Sequence, residues 1–233
     1  MDMEEIHAQR EYYKSTAQKY DSMHGDIEHK IELSFLSSSI DYFGIRSILD
    51  IGSGTGRTIT FLKEKHPNLI VKGIEPVPEL REIGYKKGIN KDDLIDGNGY
   101  NLKFENGEFD LVCECGILHH VRHPYKVVGE MLRVAKKGIF ISDRNRAGGV
   151  GCFSQFTRSM LDRLGLFNLV VYIMTRGRGF YVTPGDGISY SYSVFHNFKQ
   201  IKKECKYIHI LNTKGNGINP YNSATHVALL AIK

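Results

Sequence analysis

The run Asp50-Ile51-Gly52-Ser53-Gly54-Thr55-Gly56 places an acid two positions before three alternating glycines, directly after the apolar segment Ser47–Ile51. Glycines at such spacing let a backbone turn tightly and approach a ligand. The helix that should follow offers unpaired N–H groups to a carboxylate or phosphate. Two further acids fall at the ends of the next apolar runs. Glu75 is placed to take both hydroxyls of a ribose, and Asp96 to accept from an adenine amino group. A second set lies in residues 144–192, which hold six arginines (Arg144, Arg146, Arg158, Arg163, Arg176, Arg178) and no lysine. Arginine without lysine suits planar, bidentate binding of phosphate or carboxylate. Asp186, Tyr190, Tyr192 and His196 add the aromatic and polar groups that suit a sugar ring.

These groups must be carried by alternating elements. Helical spacing predicts helices over 5–21 and 26–43, then around Phe61 up to Pro67, over 78–87, and from Pro124 through a Val127, Val128, Met131, Leu132, Ala135 stripe that Gly138 ends. Between them, Ser47–Ile51, Leu69–Ile74, Asp93–Ile95, Phe109–Cys113 and Ile139–Ser142 read as strands. Strand–helix alternation implies a parallel sheet covered on both faces, with ligands at the carboxyl ends of its strands. Tyr207–Leu211 and His226–Ile232 are joined by Lys214–Thr225, too short for a helical crossover, so they should be antiparallel neighbours. Short helices are expected near 152–164 and 166–175.

The segment from Ser47 to Phe140 resembles the core of class I S-adenosylmethionine (SAM)-dependent methyltransferases, in the small-molecule branch that holds quinone and sugar methyltransferases. The matching runs are Leu49–Gly56, Gly73-Ile74-Glu75, Asp96-Gly97, Leu102–Val112, Leu118-His119-His120-Val121 and Met131–Gly138. The resemblance implies an α/β Rossmann-like, doubly wound, seven-stranded, mostly parallel sheet with an antiparallel C-terminal hairpin and an inserted α-helical cap after strand five. It implies a single domain over 1–233: a helical lid (1–45), a cofactor core (46–143), an acceptor insertion (144–192) and a C-terminal helix with the last strands (193–233). SAM would be the cofactor and S-adenosylhomocysteine the product. Asp50, Gly52, Ser53, Gly54 and Gly56 would hold the methionine part, Glu75 with Pro76 the ribose, and Asp96 with Gly97 the adenine edge. Glu114 and Cys115 would flank the sulfonium, with Tyr13 and Tyr20 as a lid. Lys103 and Lys137 stand where similar proteins usually carry proline.

Methyl transfer to a hydroxyl needs alignment and a base. In similar sugar O-methyltransferases a His-His pair and an acid after strand five face the acceptor. His119 or His120 is therefore the expected base and Asp143 its orienting partner. Arg144, Arg146, Arg176 and Arg178, with Asp186, Tyr190, Tyr192 and His196, are the expected acceptor contacts. No Asn/Asp-Pro-Pro-aromatic run follows strand four, where Cys113-Glu114-Cys115-Gly116 stands, so amines on nucleobases are disfavoured. Too few clustered carboxylates follow strands four and five for metal-dependent catechol chemistry, and none of the four cysteines is spaced C-x-x-C. No metal is expected.

Charge sharpens the choice. Residues 1–110 carry 14 Lys and Arg against 20 Asp and Glu, while residues 111–233 carry 17 against 6. The basic excess thus falls in the half that contains the acceptor insertion, and within 144–192 it is carried by arginine. The expected partner is a small anionic acceptor, such as a sugar phosphate, a nucleotide sugar or a surface-polysaccharide precursor, rather than nucleic acid. C-methylation of a quinone-type ring and RNA methylation are the competing readings. The opening segment Met1–Lys14 has no apolar core, and no apolar run reaches the roughly 20 residues a membrane span needs. A cytoplasmic location without a membrane span is expected.

Overall fold

A computed structural model describes residues 3–23, 27–146, 148, 157–158, 160–161, 164–183, 186–215, 217 and 219–233. The helices are α1 (Met3–Thr16), α2 (Tyr20–Met23), α3 (Ile27–Tyr42), α4 (Arg57–Lys65), α5 (Pro78–Lys86), α6 (Pro124–Val134), α7 (Phe167–Met174), α8 (Phe198–Glu204) and α9 (Pro220–Ser223). The strands are β1 (Ser47–Ile51), β2 (Ile70–Ile74), β3 (Leu94–Ile95), β4 (Phe109–Cys115), β5 (Ala135–Arg144), β6 (Tyr181–Thr183), β7 (Gly187–Ser189), β8 (Tyr207–Gly215) and β9 (Ala224–Ile232).

Seven strands form one sheet in the order β3-β2-β1-β4-β5-β9-β8. The first five are parallel, β9 pairs antiparallel with β5, and β8 pairs antiparallel with β9. This is the Rossmann-like α/β sheet that the strand–helix alternation implies. Strand order reverses between β1 and β4, so the ends of these two strands open the crevice where such sheets bind ligands. The central strands are apolar on both faces because helices cover both. Ile48, Leu111, Cys113 and Phe140 pack with Leu36 and Ile40 of α3 and with Ile59 and Leu62 of α4. Leu49, Val112, Ile139 and Ile141 face the other way, onto Val127, Val128, Met131 and Leu132 of α6 and Ile201 of α8. No helix of the described residues is long and apolar enough to cross a membrane.

Three expectations shift. The first helix is broken: α1 ends at Thr16, a 3-10 turn covers Ala17–Lys19, and α2 begins at Tyr20. Ala17 is buried there with Val77 and Leu80. Gly138 is not a helix stop. α6 ends at Val134 and β5 starts at Ala135, so Gly138 lies inside the strand. A Cβ there would sit 2.3 Å from the Ala231 carbonyl oxygen of β9, so close backbone approach is what requires glycine. The cap also holds a β-hairpin, with Tyr181↔Ser189 and Thr183↔Gly187 paired, which short Gly- and Ser-rich segments did not reveal. α7 matches its expected span. Most of the helix expected near 152–164 lies outside the described residues.

The hairpin and α1 meet over the sheet's carboxyl edge. The Ile188 N–H donates to Gln9 Oε1 at 2.6 Å, and Gln9 Nε2 donates to the Asp186 carbonyl at 3.3 Å. Lid and cap thus hold each other through backbone groups. Gly138→Ala should lower stability by about 1–3 kcal/mol, because the added methyl overpacks the β5–β9 seam. Gly129→Ala, inside α6 with only the Gln200 side-chain amide at 3.4 Å, should be neutral or stabilising by up to about 1 kcal/mol. Thermal unfolding of both variants checks the pair.

Candidate active site

The glycine loop leaves β1 with Gly52 and Gly54 at φ 70° and 55°, conformations that L side chains rarely adopt. Space closes the same positions: a Cβ on Gly52 would lie 2.4 Å from Ile117, and one on Gly54 2.8 Å from the Tyr20 hydroxyl. Glu75, at the end of β2, fixes the loop. Its Oε2 accepts from the Gly54 N–H at 3.0 Å and its Oε1 from the Val77 N–H at 2.8 Å. Burial pushes its carboxyl up to about 7 against those two bonds. Asp50 lies beneath the loop. Its Oδ1 accepts from the Cys113 thiol at 3.5 Å, while Oδ2 is buried with no hydrogen bond among the described residues. Burial raises Asp50 to about 6.

A cavity of about 560 Å³ opens at this edge. Gly52, Glu75, Pro76, Gly97 and Cys115 line one side, and Tyr13 and Tyr20 close it from the lid. Asp50, Ser53, Gly54 and Gly56 shape the loop without lining the cavity. Two expected contacts stand elsewhere. Asp96 is exposed and paired with Arg81 at 2.9 Å, outside the cavity wall, so Gly97 alone of that pair faces it. Glu114 is fully buried behind the wall, with Oε2 accepting from the Ile117 N–H at 2.9 Å.

The other end of the cavity is a charged cluster. His119 Nδ1 lies 2.6 Å from Asp143 Oδ1, and the His119 N–H donates to Asp143 Oδ2 at 3.1 Å. Asp186 then faces both imidazoles, 3.2 Å from His119 Nε2 and 3.3 Å from His120 Nε2. Arg144 pairs with the same carboxylate and donates to Ser189 Oγ at 2.8 Å. The Ile188 carbonyl lies 2.6 Å from His120 Nδ1. A carbonyl only accepts, so Nδ1 carries the proton and Nε2 presents a lone pair. The Tyr13 hydroxyl donates to that Nε2 at 3.0 Å.

The two histidines are driven apart electrically. Burial opposes a charge on His119, but Asp143 and Asp186 outweigh it and raise the group to about 9. His120 moves down, through burial first and then the adjacent His119 charge. Burial pushes Asp186 upward, but its contacts with the two histidines hold it far below the usual carboxylate range. At neutral pH His119 is therefore an imidazolium between two carboxylates, and His120 is neutral.

The arginines do not form one ring around this cluster. Of the four expected as acceptor contacts, Arg144 alone lines the cavity. Arg146 and Arg178 line a second cavity with Tyr192 and His196, Tyr190 borders both, and exposed Arg176 lines neither. Tyr192 is buried, its hydroxyl donating to Asn197 at 2.9 Å. His196 caps the turn before α8, accepting from the Ser193 N–H at 3.3 Å. Sequence reasoning missed Gln9. The signal was available: Gln9 and Tyr13 are spaced i, i+4, so they share one helix face. Asp186, expected as an acceptor contact, lines the cavity and bridges the histidine pair.

Residues 49–142 match the family described as a methyltransferase domain. Over those residues the chain is similar to class I SAM-dependent methyltransferases. SAM is the cofactor of that family. Norajmaline N-methyltransferase from Rauvolfia serpentina is 33% identical over 100 residues, covering 40% of this chain and 33% of that protein. Demethylmenaquinone methyltransferase from Thermotoga maritima is 25% identical over 134 residues, covering 56% of this chain and 58% of its own. The chain thus spans a third to under three fifths of the length of these relatives. The structure of magnesium protoporphyrin IX methyltransferase from Synechocystis, with bound S-adenosylhomocysteine, superposes with a TM-score of 0.59 at 12% identity, covering 96% of this chain and 97% of that one.

The residues fit the cofactor. The cavity falls in the size range of small-molecule sites. Asp50 keeps a buried carboxylate oxygen unfilled beside the glycine loop, where an amino group would satisfy it. Each Glu75 oxygen spends one of its two lone-pair sites on a backbone N–H, which leaves acceptors for ribose hydroxyls.

Glu75→Ala should weaken SAM binding by about 10- to 100-fold in calorimetry, because it releases the loop and removes a charged acceptor. Asp143→Asn should reduce stability at pH 6 by about 3 kcal/mol, since it strands a buried imidazolium. His119 titrates at about 9 in the folded chain against 6.5 ordinarily. Its contribution is therefore complete below pH 6.5 and lost as pH rises through 9. Melting temperatures of wild type and variant should converge above that value.

Proposed function

We propose that the protein transfers a methyl group from SAM to an oxygen of a small anionic acceptor, such as a sugar phosphate, a nucleotide sugar or a surface-polysaccharide precursor. The observation that carries this reading is the His119–His120–Asp186–Arg144 cluster facing the cavity that the glycine loop borders. Bound SAM supplies an electrophilic methyl group on a sulfonium. The chain supplies alignment, closure and a proton acceptor. His120 Nε2 is the base: its Nδ1 proton is tied to Ile188, and the Asp186 carboxylate stands ready to stabilise the imidazolium that forms. His119, held charged by Asp143, places a positive charge beside an oxygen that becomes negative as it loses its proton. Arg144 adds a second cation at the same wall. Tyr13 and Gln9, both on α1, close the site against water.

The family's quinone methyltransferases make C-methylation the second reading, favoured by the similarity to demethylmenaquinone methyltransferase. A quinone ring would leave this set of acids and cations without a task, and the charged wall argues against it.

His120→Ala should cut turnover by about 100-fold or more while leaving SAM affinity intact. The test is S-adenosylhomocysteine release across a panel of sugar phosphates and nucleotide sugars. The pH profile of kcat/KM should rise through a value below 6.5, where His120 loses its proton, and fall near 9, where His119 does. Turnover that survives in both His119→Ala and His120→Ala contradicts the assignment. Activity on a demethylated quinone with both variants fully active would establish the alternative.

A further inference from the structure

A second cavity, of about 580 Å³, adjoins the first, and Val121 and Tyr190 belong to both walls. Tyr190 is fixed at that boundary, its N–H donating to the His119 carbonyl at 2.7 Å. The described lining of the second chamber is basic. Arg122, Arg146 and Arg178 line it, and no carboxylate does among the described residues. The first cavity, by contrast, carries Glu32, Glu75 and Asp186 alongside its arginines.

Two of these arginines have contacts that orient them. The Arg146 guanidinium lies 4.1 Å over the Phe167 ring, and its Nη1 donates to the Ser191 carbonyl at 3.3 Å. Stacking fixes its plane, and planar guanidinium forks match the oxygens of phosphate. Arg178 is held by Nε donating to the Thr175 carbonyl at 3.2 Å, and its guanidinium carbon lies 6.0 Å from the Phe180 ring centre.

We propose that this second chamber is the phosphate subsite of a two-part acceptor. The hydroxyl to be methylated enters the first cavity beside His120, and a phosphate or pyrophosphate group on the same molecule rests among Arg122, Arg146 and Arg178. Tyr190 stands at the passage between them, against the connecting sugar. The assignment rests on the methyl-transfer reading for its first half, while the anion site stands on its own chemistry. It also gives Arg146 and Arg178, which lie outside the catalytic cluster, a role: they read the acceptor's remote group, and remote binding energy helps align the reacting one.

The test is calorimetric titration of inorganic pyrophosphate into the full chain, with malonate as the carboxylate comparison and SAM titrated into the same samples. Pyrophosphate should bind more tightly than malonate. Arg146→Met and Arg178→Ala should each weaken it by about tenfold, and SAM affinity should stay within about twofold of wild type. Arg178 is exposed, so its variant keeps the test valid if Arg146→Met fails to fold. No pyrophosphate binding by the wild type, or equal binding by all variants, overturns the subsite, as does malonate binding as tightly as pyrophosphate. Arginine-dependent pyrophosphate binding in a chain that does not bind SAM would leave the subsite standing and remove the methyl-transfer reading.

Discussion

The organisation of the site depends on one buried interaction, the 2.6 Å contact between His119 and Asp143. Two ionised groups removed from water are costly unless the pairing is close and the remaining hydrogen-bonding positions are filled. Here three parts of the chain supply the cluster. Asp143 comes from β5, His119 from the turn after β4, Asp186 from the cap and Arg144 from the end of β5. His120 then joins the network to Tyr13 of the lid. The parallel sheet brings the first two together, because β4 and β5 are neighbours in register, with Cys115 opposite Ser142. The cap and lid settle on the charge that this pair fixes.

That arrangement separates two identical side chains into different roles. His119 has acids at both ring nitrogens and keeps its proton. His120 has a backbone carbonyl on one nitrogen and a charged neighbour with ring centres 3.9 Å apart, so it stays neutral. Catalytic sites commonly work by pushing the titration of adjacent groups apart. The pair is adjacent in sequence, yet only its surroundings decide which member holds a charge and which accepts one.

Much of the cofactor half was legible because its constraints are local. Alternating glycines at a strand end have few other uses, and Glu75 lies at the end of the next strand, where the fold puts ligand contacts. Asp96 shows the limit of that logic. It ends β3 as expected, but Arg81 sits one turn into α5 and draws its carboxylate outward. Gly138 misled for a related reason: a glycine after a helix reads as a stop, and only the position of β9 reveals the backbone contact that needs it. The acceptor half was less legible. The type of the arginines was informative, but their distribution between two chambers depends on how α7 and the hairpin fold back, which no local pattern encodes. Asp186 was visible as a polar contact, yet its place between two histidines follows from a tertiary meeting of cap and sheet.

Adjacent imidazoles carry different charge at neutral pH, and an NMR titration of the histidine ring signals in the full chain is the decisive measurement. One of the two should hold its proton until about pH 9, and should lose that behaviour in Asp143→Asn. The other should release its proton below 6.5 and keep the proton on Nδ1 above that pH. Two rings that titrate together near 6.5, unaffected by the loss of Asp143, would contradict the account.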